Sequence, residues 1–207
     1  AELLYEEGNY TGVLSMRPDL NASDINDSEA DLASGRQLLE DAAQALTTQA
    51  LEAKACKRAM GYVMRDDPPI PPELDAQFYA CAYQLAFFEQ ALQVSQRHLE
   101  DENLSSRLRW MVRHEQALLK LERYRPVVRL AGDILQTAKM VEGASYDFVL
   151  YDRFQAHREL GEEEKMLAMA QAIEARFPQA ARNIEPFSTI VKLALERKDD
   201  LLLEHYA

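Results

Sequence analysis

Residues 105–135, SSRLRWMVRHEQALLKLERYRPVVRLAGDIL, read as one helix, a tight turn and a second helix. In the first half Leu108, Met111, Val112, Ala117, Leu118 and Leu121 recur at three- and four-residue steps, and in the second Val127, Val128, Leu130, Ala131, Ile134 and Leu135 do the same. Between them Glu122-Arg123-Tyr124-Arg125 leaves room only for a turn, and Pro126 falls in the first turn of a helix, where its missing N–H has no partner to lose. The stretch is an antiparallel helical hairpin, and the rest of the chain reads as weaker copies of it.

Composition agrees. Only seven glycines and eight prolines punctuate 207 residues that are 47% hydrophobic, and Ala, Leu, Glu, Gln and Arg dominate, so an all-α chain folding as one body is expected. The formal charge of −12 repels phosphate backbones and anionic lipid, which argues against nucleic acid and membrane surfaces as partners. No apolar run approaches the ~18 residues of a membrane span, so direct membrane insertion is not expected. The reading is a soluble chain, with a cytoplasmic location favoured over a periplasmic or secreted one. Leu3-Leu4-Tyr5 reads as the end of a helix whose start is missing, so the chain reads as a fragment of a longer protein.

Along the chain, LLYEEGNYTGVL repeats the hairpin pattern with a turn at Gly8-Asn9. Residues 17–27 read as a loop, and Ser28 with Asp31 as a capping box. A helical pattern with a break at Thr47-Thr48 runs to Met64, where RDDPPIPP (65–72) interrupts it. Further turns are marked near Ala86-Phe87, Glu122, Gly161 and Lys198, and Glu142-Gly143 closes the central hairpin. Residues just after each turn fall at Tyr10, about Gln49, Phe88, Tyr124, Glu163 and Asp200, at steps of 39, 39, 36, 39 and 37. A near-constant step is the sign of a helical repeat array. If the Gln49 and Phe88 turns do not exist, residues 28–65 and 73–100 are instead two long antiparallel helices, and repeats begin at Asn103.

GNYTGVL, FFEQALQVSQRHL, LERYRPVVRLAGDIL and LGEEEKMLAMAQAIEARFP each resemble the turn and second helix of the tetratricopeptide (TPR) repeat, with Pro178 as the terminal proline. The family's bulky aromatic early in the first helix is matched only near Trp110, so the resemblance is to a degenerate member. It implies a right-handed α-α superhelix, a TPR-like solenoid of about five antiparallel helical hairpins over residues 1–207, clearest at 103–207. It also implies a concave groove that grips a peptide or partner protein.

Catalytic signatures are missing. The sequence has no glycine-rich phosphate loop, no GxSxG and no HExxH, and none of its histidines has a Glu three residues before it. No enzyme, metal or cofactor is therefore expected. His98, His114, His157 and His205 read as helix-surface or rim residues. Asn9, Asn21, Asn26 and Asn103 begin N-x-S/T, which local cap chemistry explains without glycans. Cys56 and Cys81 lie ~13 and ~12 Å from the proline loop along their helices, at ~1.5 Å per residue. They read either as two buried thiols or as a disulfide, which would imply an oxidising compartment.

Charge carries the functional reading. Arg107, Arg109, Arg113, Lys120, Arg123, Arg125 and Arg129 stand against Glu115 and Glu122, a local +5 that leaves −17 in the rest of the chain. Two accounts stay open: pairing with acidic neighbouring helices, or an anchor for an acidic peptide or terminal carboxylate. If first helices line a groove through residues three to four apart, its wall is Arg109, Gln116 and Lys120, then Tyr151, Gln155 and Arg158, then Ser188 and Lys192. The function expected is a non-enzymatic protein-protein interaction scaffold that holds a peptide or partner protein in a concave groove, with an acidic peptide as the ligand the cations would suit. The alternative is a regulatory or accessory docking domain of a larger enzyme, secretion or cell-envelope assembly machine.

Overall fold

A computed structural model describes residues 10–15, 29–144, 146–177 and 184–206. Every regular element among them is helical: α1 (Tyr10–Ser15), α2 (Glu29–Glu52), α3 (Cys56–Asp66), α4 (Asp75–Gln84), α5 (Phe88–Gln96), α6 (Leu104–Lys120), α7 (Tyr124–Ala138), α8 (Val149–Glu159), α9 (Glu163–Arg176), α10 (Ile184–Arg197) and α11 (Asp200–Tyr206), with a 3₁₀ turn at Pro72–Leu74 before α4. The Gly8-Asn9 turn, the Ser28/Asp31 capping box and the sites Asn9, Asn21, Asn26 and Pro178 lie outside what is described. The chain divides into two compact units, residues 1–94 and 95–207.

Five hairpins share one turn. At Lys54, Ala86, Glu122, Gly161 and Lys198 the backbone is left-handed, with φ of 54°, 63°, 57°, 68° and 53°. Each of these residues donates its N–H to the carbonyl three residues back, and the next residue donates to the carbonyl five back: Ala55 to Ala50, Phe87 to Ala82, Arg123 to Leu118, Glu162 to His157, Asp199 to Ala194. This is the Schellman closure, which satisfies the last carbonyls of a helix. The next helix begins at once, and the N-cap backbone is nearly the same at Ala55, Arg123 and Glu162, with φ of −85°, −87° and −88° and ψ of 64°, 65° and 67°. Only Gly161 has the residue type that adopts the left-handed conformation without steric cost.

The turns at 86, 122, 161 and 198 stand where the sequence marks them, and α5, α7, α9 and α11 start at Phe88, Tyr124, Glu163 and Asp200. The break at Thr47-Thr48 does not occur. Thr47 is buried and its hydroxyl donates to the Ala43 carbonyl one turn earlier (2.8 Å), so it sits inside a continuous α2. The reversal comes at Lys54, which also rules out one helix from 28 to 65. Likewise α7 ends at Ala138, short of Glu142-Gly143.

In residues 1–94 the core is rich in alanine, with Ala42, Ala43, Ala50, Ala59, Ala82 and Ala91 buried alongside Leu39, Leu51, Met60 and Phe78. Small side chains let helix axes approach closely, and α3 and α4 are joined by a disulfide between Cys56 and Cys81, whose Cα atoms are 4.9 Å apart. In residues 95–207 larger groups do the packing. Leu108, Met111, Val112, Ala131, Ile134 and Val149 form one cluster, and Phe154, Met166, Ala170, Ile173, Ile190 and Leu193 a second. Leu118, Ile134 and Ala170 are buried and Leu121 and Leu130 half-buried. Asn103 caps α6, its side-chain oxygen accepting the Ser106 N–H at 3.0 Å.

Candidate functional site

Arg109, Gln116 and Lys120 lie at seven- and four-residue steps on α6, a spacing that keeps them on one side of the helix. Arg109 and Lys120 are exposed and Gln116 half-buried, and none of the three makes a hydrogen bond or ion pair among the described residues. Arg113, on the same stripe, lies with its guanidinium 4.4 Å from the Trp110 ring centre, and His98 stacks on that indole at 4.2 Å. On α7, Arg125 and Arg129 are likewise exposed without an ion pair among the described residues. Pairing with neighbouring acidic helices therefore does not account for four of the seven cations in the basic belt.

The other half of the expected groove differs. Tyr151 on α8 is half-buried and stacked on Phe177 at 6.3 Å, so its ring already serves the fold. Gln155 is exposed. Arg158 donates to Glu159 (3.0 Å) and to Glu185 on α10, and these carboxylates, Glu185 foremost, raise its pKa above the ordinary arginine range. Ser188 donates to the Glu185 backbone carbonyl at 3.0 Å, and Lys192 lies 3.9 Å from Glu196. Arg158 and Lys192 meet across a cleft of about 280 Å³ whose other walls include the Gly161 turn and Thr189. Arg109, Gln116 and Lys120 do not line it. A second cleft, of about 260 Å³, opens beside Lys139, with the Arg176–Asp147 ion pair (2.7 Å) on its rim. Both are open surface clefts, and no group of three or more His, Cys, Asp or Glu side chains converges as a metal site among the described residues.

Three buried polar groups were not read from the sequence. His114 and His157, expected at the helix surface, are buried. His114 Nδ1 is hydrogen-bonded to Ser95 Oγ at 3.0 Å. His157 occupies the carbonyl position that closes its hairpin turn, and its Nδ1–H donates to Glu162 Oε2 at 2.7 Å, a bond that holds the Glu162 carboxyl below its ordinary pKa. Its alignment with Ala50, Ala82, Leu118 and Ala194 at the same turn position was the available signal. Glu115 is fully buried, and no donor group reaches either of its oxygens. Burial first, and then the Asp152 carboxylate of α8, push its pKa up to about 9, which favours the neutral acid at neutral pH. It was hidden because an acidic residue on an amphipathic helix reads as solvated.

No family model matches the sequence and no curated protein matches it. Among the described residues no helix is long and apolar enough to cross a membrane.

Proposed function

We propose that this chain is a non-enzymatic interaction scaffold, a TPR-like right-handed superhelix of hairpins whose central hairpin presents cations to an acidic peptide. The observation that carries this is the set Arg109, Lys120, Arg125 and Arg129: exposed arginines and a lysine without ion-pair partners among the described residues, in a chain of net charge −12. Exposed cations without counter-charges on an acidic chain favour an anionic ligand. Arg158 and Lys192 supply a secondary contact, since a ligand there competes with Glu185 and Glu196. The Cys56–Cys81 disulfide points to an oxidising compartment, against the cytoplasmic location favoured by sequence, and suits the alternative of an accessory domain in a secretion or cell-envelope assembly.

The test is fluorescence anisotropy of a labelled glutamate-rich peptide with the full chain at several salt concentrations. Replacing Arg109 and Lys120 together with Ala should weaken binding about tenfold at low salt and flatten its salt dependence, whereas Lys192→Ala should change it less. Equal affinity for the double variant and the parent would remove α6 as the binding face.

A further inference from the structure

Cys56 and Cys81 share one bond but not one environment. Cys81, in α4, is buried, with 3% of its surface exposed. Cys56 is only half-buried and is the first residue of α3, two residues after the left-handed Lys54. A small molecule arriving from solvent therefore meets the bond at Cys56. Lys54, Lys57 and Arg58 flank that residue, all three are exposed, and none of their side chains makes a hydrogen bond or ion pair among the described residues. Residues 1–94 hold sixteen Asp and Glu against six Lys and Arg, so half the cations of an acidic unit fall within two residues of Cys56. Glu52 is the only acidic residue from 42 to 65. No side chain caps α3, so the positive end of its dipole adds to the same field. A link that only held α3 to α4 would work equally well with both sulfurs buried among neutral side chains.

We propose that Cys56 is a thiol-exchange site, at which a small carboxylate-bearing thiol opens and recloses the Cys56–Cys81 bond. The incoming thiolate attacks Cys56 Sγ, the S–S bond breaks, and its electron pair leaves on Cys81 Sγ, which takes up a proton. A second thiolate attacks the outer sulfur of this mixed disulfide, displaces Cys56 as a thiolate and releases the small disulfide. In the reverse direction the Cys56 thiolate attacks the small disulfide, and Cys81 then displaces the bound thiol to restore the link. Two electrons pass between the protein pair and two molecules of the small thiol. Leaving-group chemistry alone would favour attack at Cys81, because that releases the better stabilised Cys56 thiolate. Burial of Cys81 closes that route. The three cations set the selectivity, drawing in anionic thiols and repelling those that carry an ammonium group. Opening leaves α3 and α4 held by packing alone. The site lies outside the central hairpin and does not depend on the peptide-binding reading.

The experiment exposes the oxidised full chain to glutathione, 2-mercaptoethanol and cysteamine at equal thiolate concentration. Samples are quenched in acid, and mass spectrometry counts every chain whose bond is open, as adduct or as dithiol. Dividing each rate by that of the same thiol with bis(2-hydroxyethyl) disulfide removes its intrinsic nucleophilicity. At low salt glutathione should then exceed cysteamine about tenfold, with 2-mercaptoethanol between them, and added salt should erase the difference. Peptide mapping should place the retained thiol on Cys56. The triple variant Lys54→Gln, Lys57→Gln and Arg58→Gln changes only exposed side chains, so its far-UV circular dichroism should match the parent while its preference is lost. A bond that none of the thiols opens, equal normalised rates in the parent, adducts on Cys81, or a preference that persists in the folded triple variant would each overturn the proposal.

Discussion

The carbonyl that closes each hairpin turn belongs to alanine in residues 1–94, at Ala50 and Ala82, but to Leu118, His157 and Ala194 in residues 95–207. One backbone device is thus supported in two ways. Alanine seams bring helices close but bury little apolar area per residue, and there a covalent link between α3 and α4 supplements the packing. The second unit fills its seams with larger side chains and, at three positions, with groups that carry protons: His114, Glu115 and His157. Its stability should respond to pH, and that of the first unit to redox state.

The largest effect expected is on the first unit. The disulfide closes a 25-residue separation, which corresponds to about 3 kcal/mol of denatured-state entropy. Trp110 is the single tryptophan and lies in the second unit. Replacing both cysteines with Ser should therefore lower the urea midpoint followed by circular dichroism while leaving the tryptophan-fluorescence transition in place. If both signals shift together, the two units unfold as one and are not supported separately.

Next comes Glu115. Its pKa is raised on folding, so the folded state holds a proton that the unfolded state releases above about pH 4.5. Stability is full below that pH and is lost as pH rises toward 9, at about 1.4 kcal/mol per unit. Glu115→Gln keeps the shape and removes the proton dependence, so it should stabilise the second unit by about 2–3 kcal/mol at pH 7. Urea midpoints from tryptophan fluorescence between pH 5 and 9 should be flatter in the variant, and parallel profiles would show that Glu115 ionises freely. Glu162 has the opposite sign. Its pKa is depressed by the His157 hydrogen bond, so its contribution is present above the ordinary glutamate range and is lost as pH falls through the lowered value. In His157→Phe the fall in stability below pH 4 should be shallower.

The smallest effects test the device that the two units share. Ala86→Gly in the first and Glu122→Gly in the second should each stabilise by about 0.5–1 kcal/mol, and Gly161→Ala should cost about 1 kcal/mol. A Cβ at Gly161 meets nothing within 4 Å, so that cost is backbone strain alone. Unequal gains at 86 and 122 in thermal unfolding would mean that the turns are not equivalent.

The helical class and four of the five hairpin turns were legible because periodic apolar residues and local breakers encode them. Lys54 was not. Its left-handed backbone carries a side chain with no turn signature, whereas Thr47-Thr48 carries one but satisfies its hydroxyl within the helix. Of the expected groove, the cations of α6 could be read from spacing, but the pairing of Arg158 with Glu185 could not, since 27 residues separate them. Glu115 could not be read either, because what isolates it is a helix from the following hairpin.

The cross-link between Cys56 and Cys81 also has a mechanical meaning. If the chain were stretched between its ends, each hairpin would lengthen by the full contour of its residues as it opened, but the stretch between the cysteines would stay looped. At ~3.4 Å per residue that withholds about 85 Å of reach until the bond is reduced. Tethered between two anchors, the first unit would behave as a short, stiff strut in an oxidising medium and as a longer, extensible one after reduction.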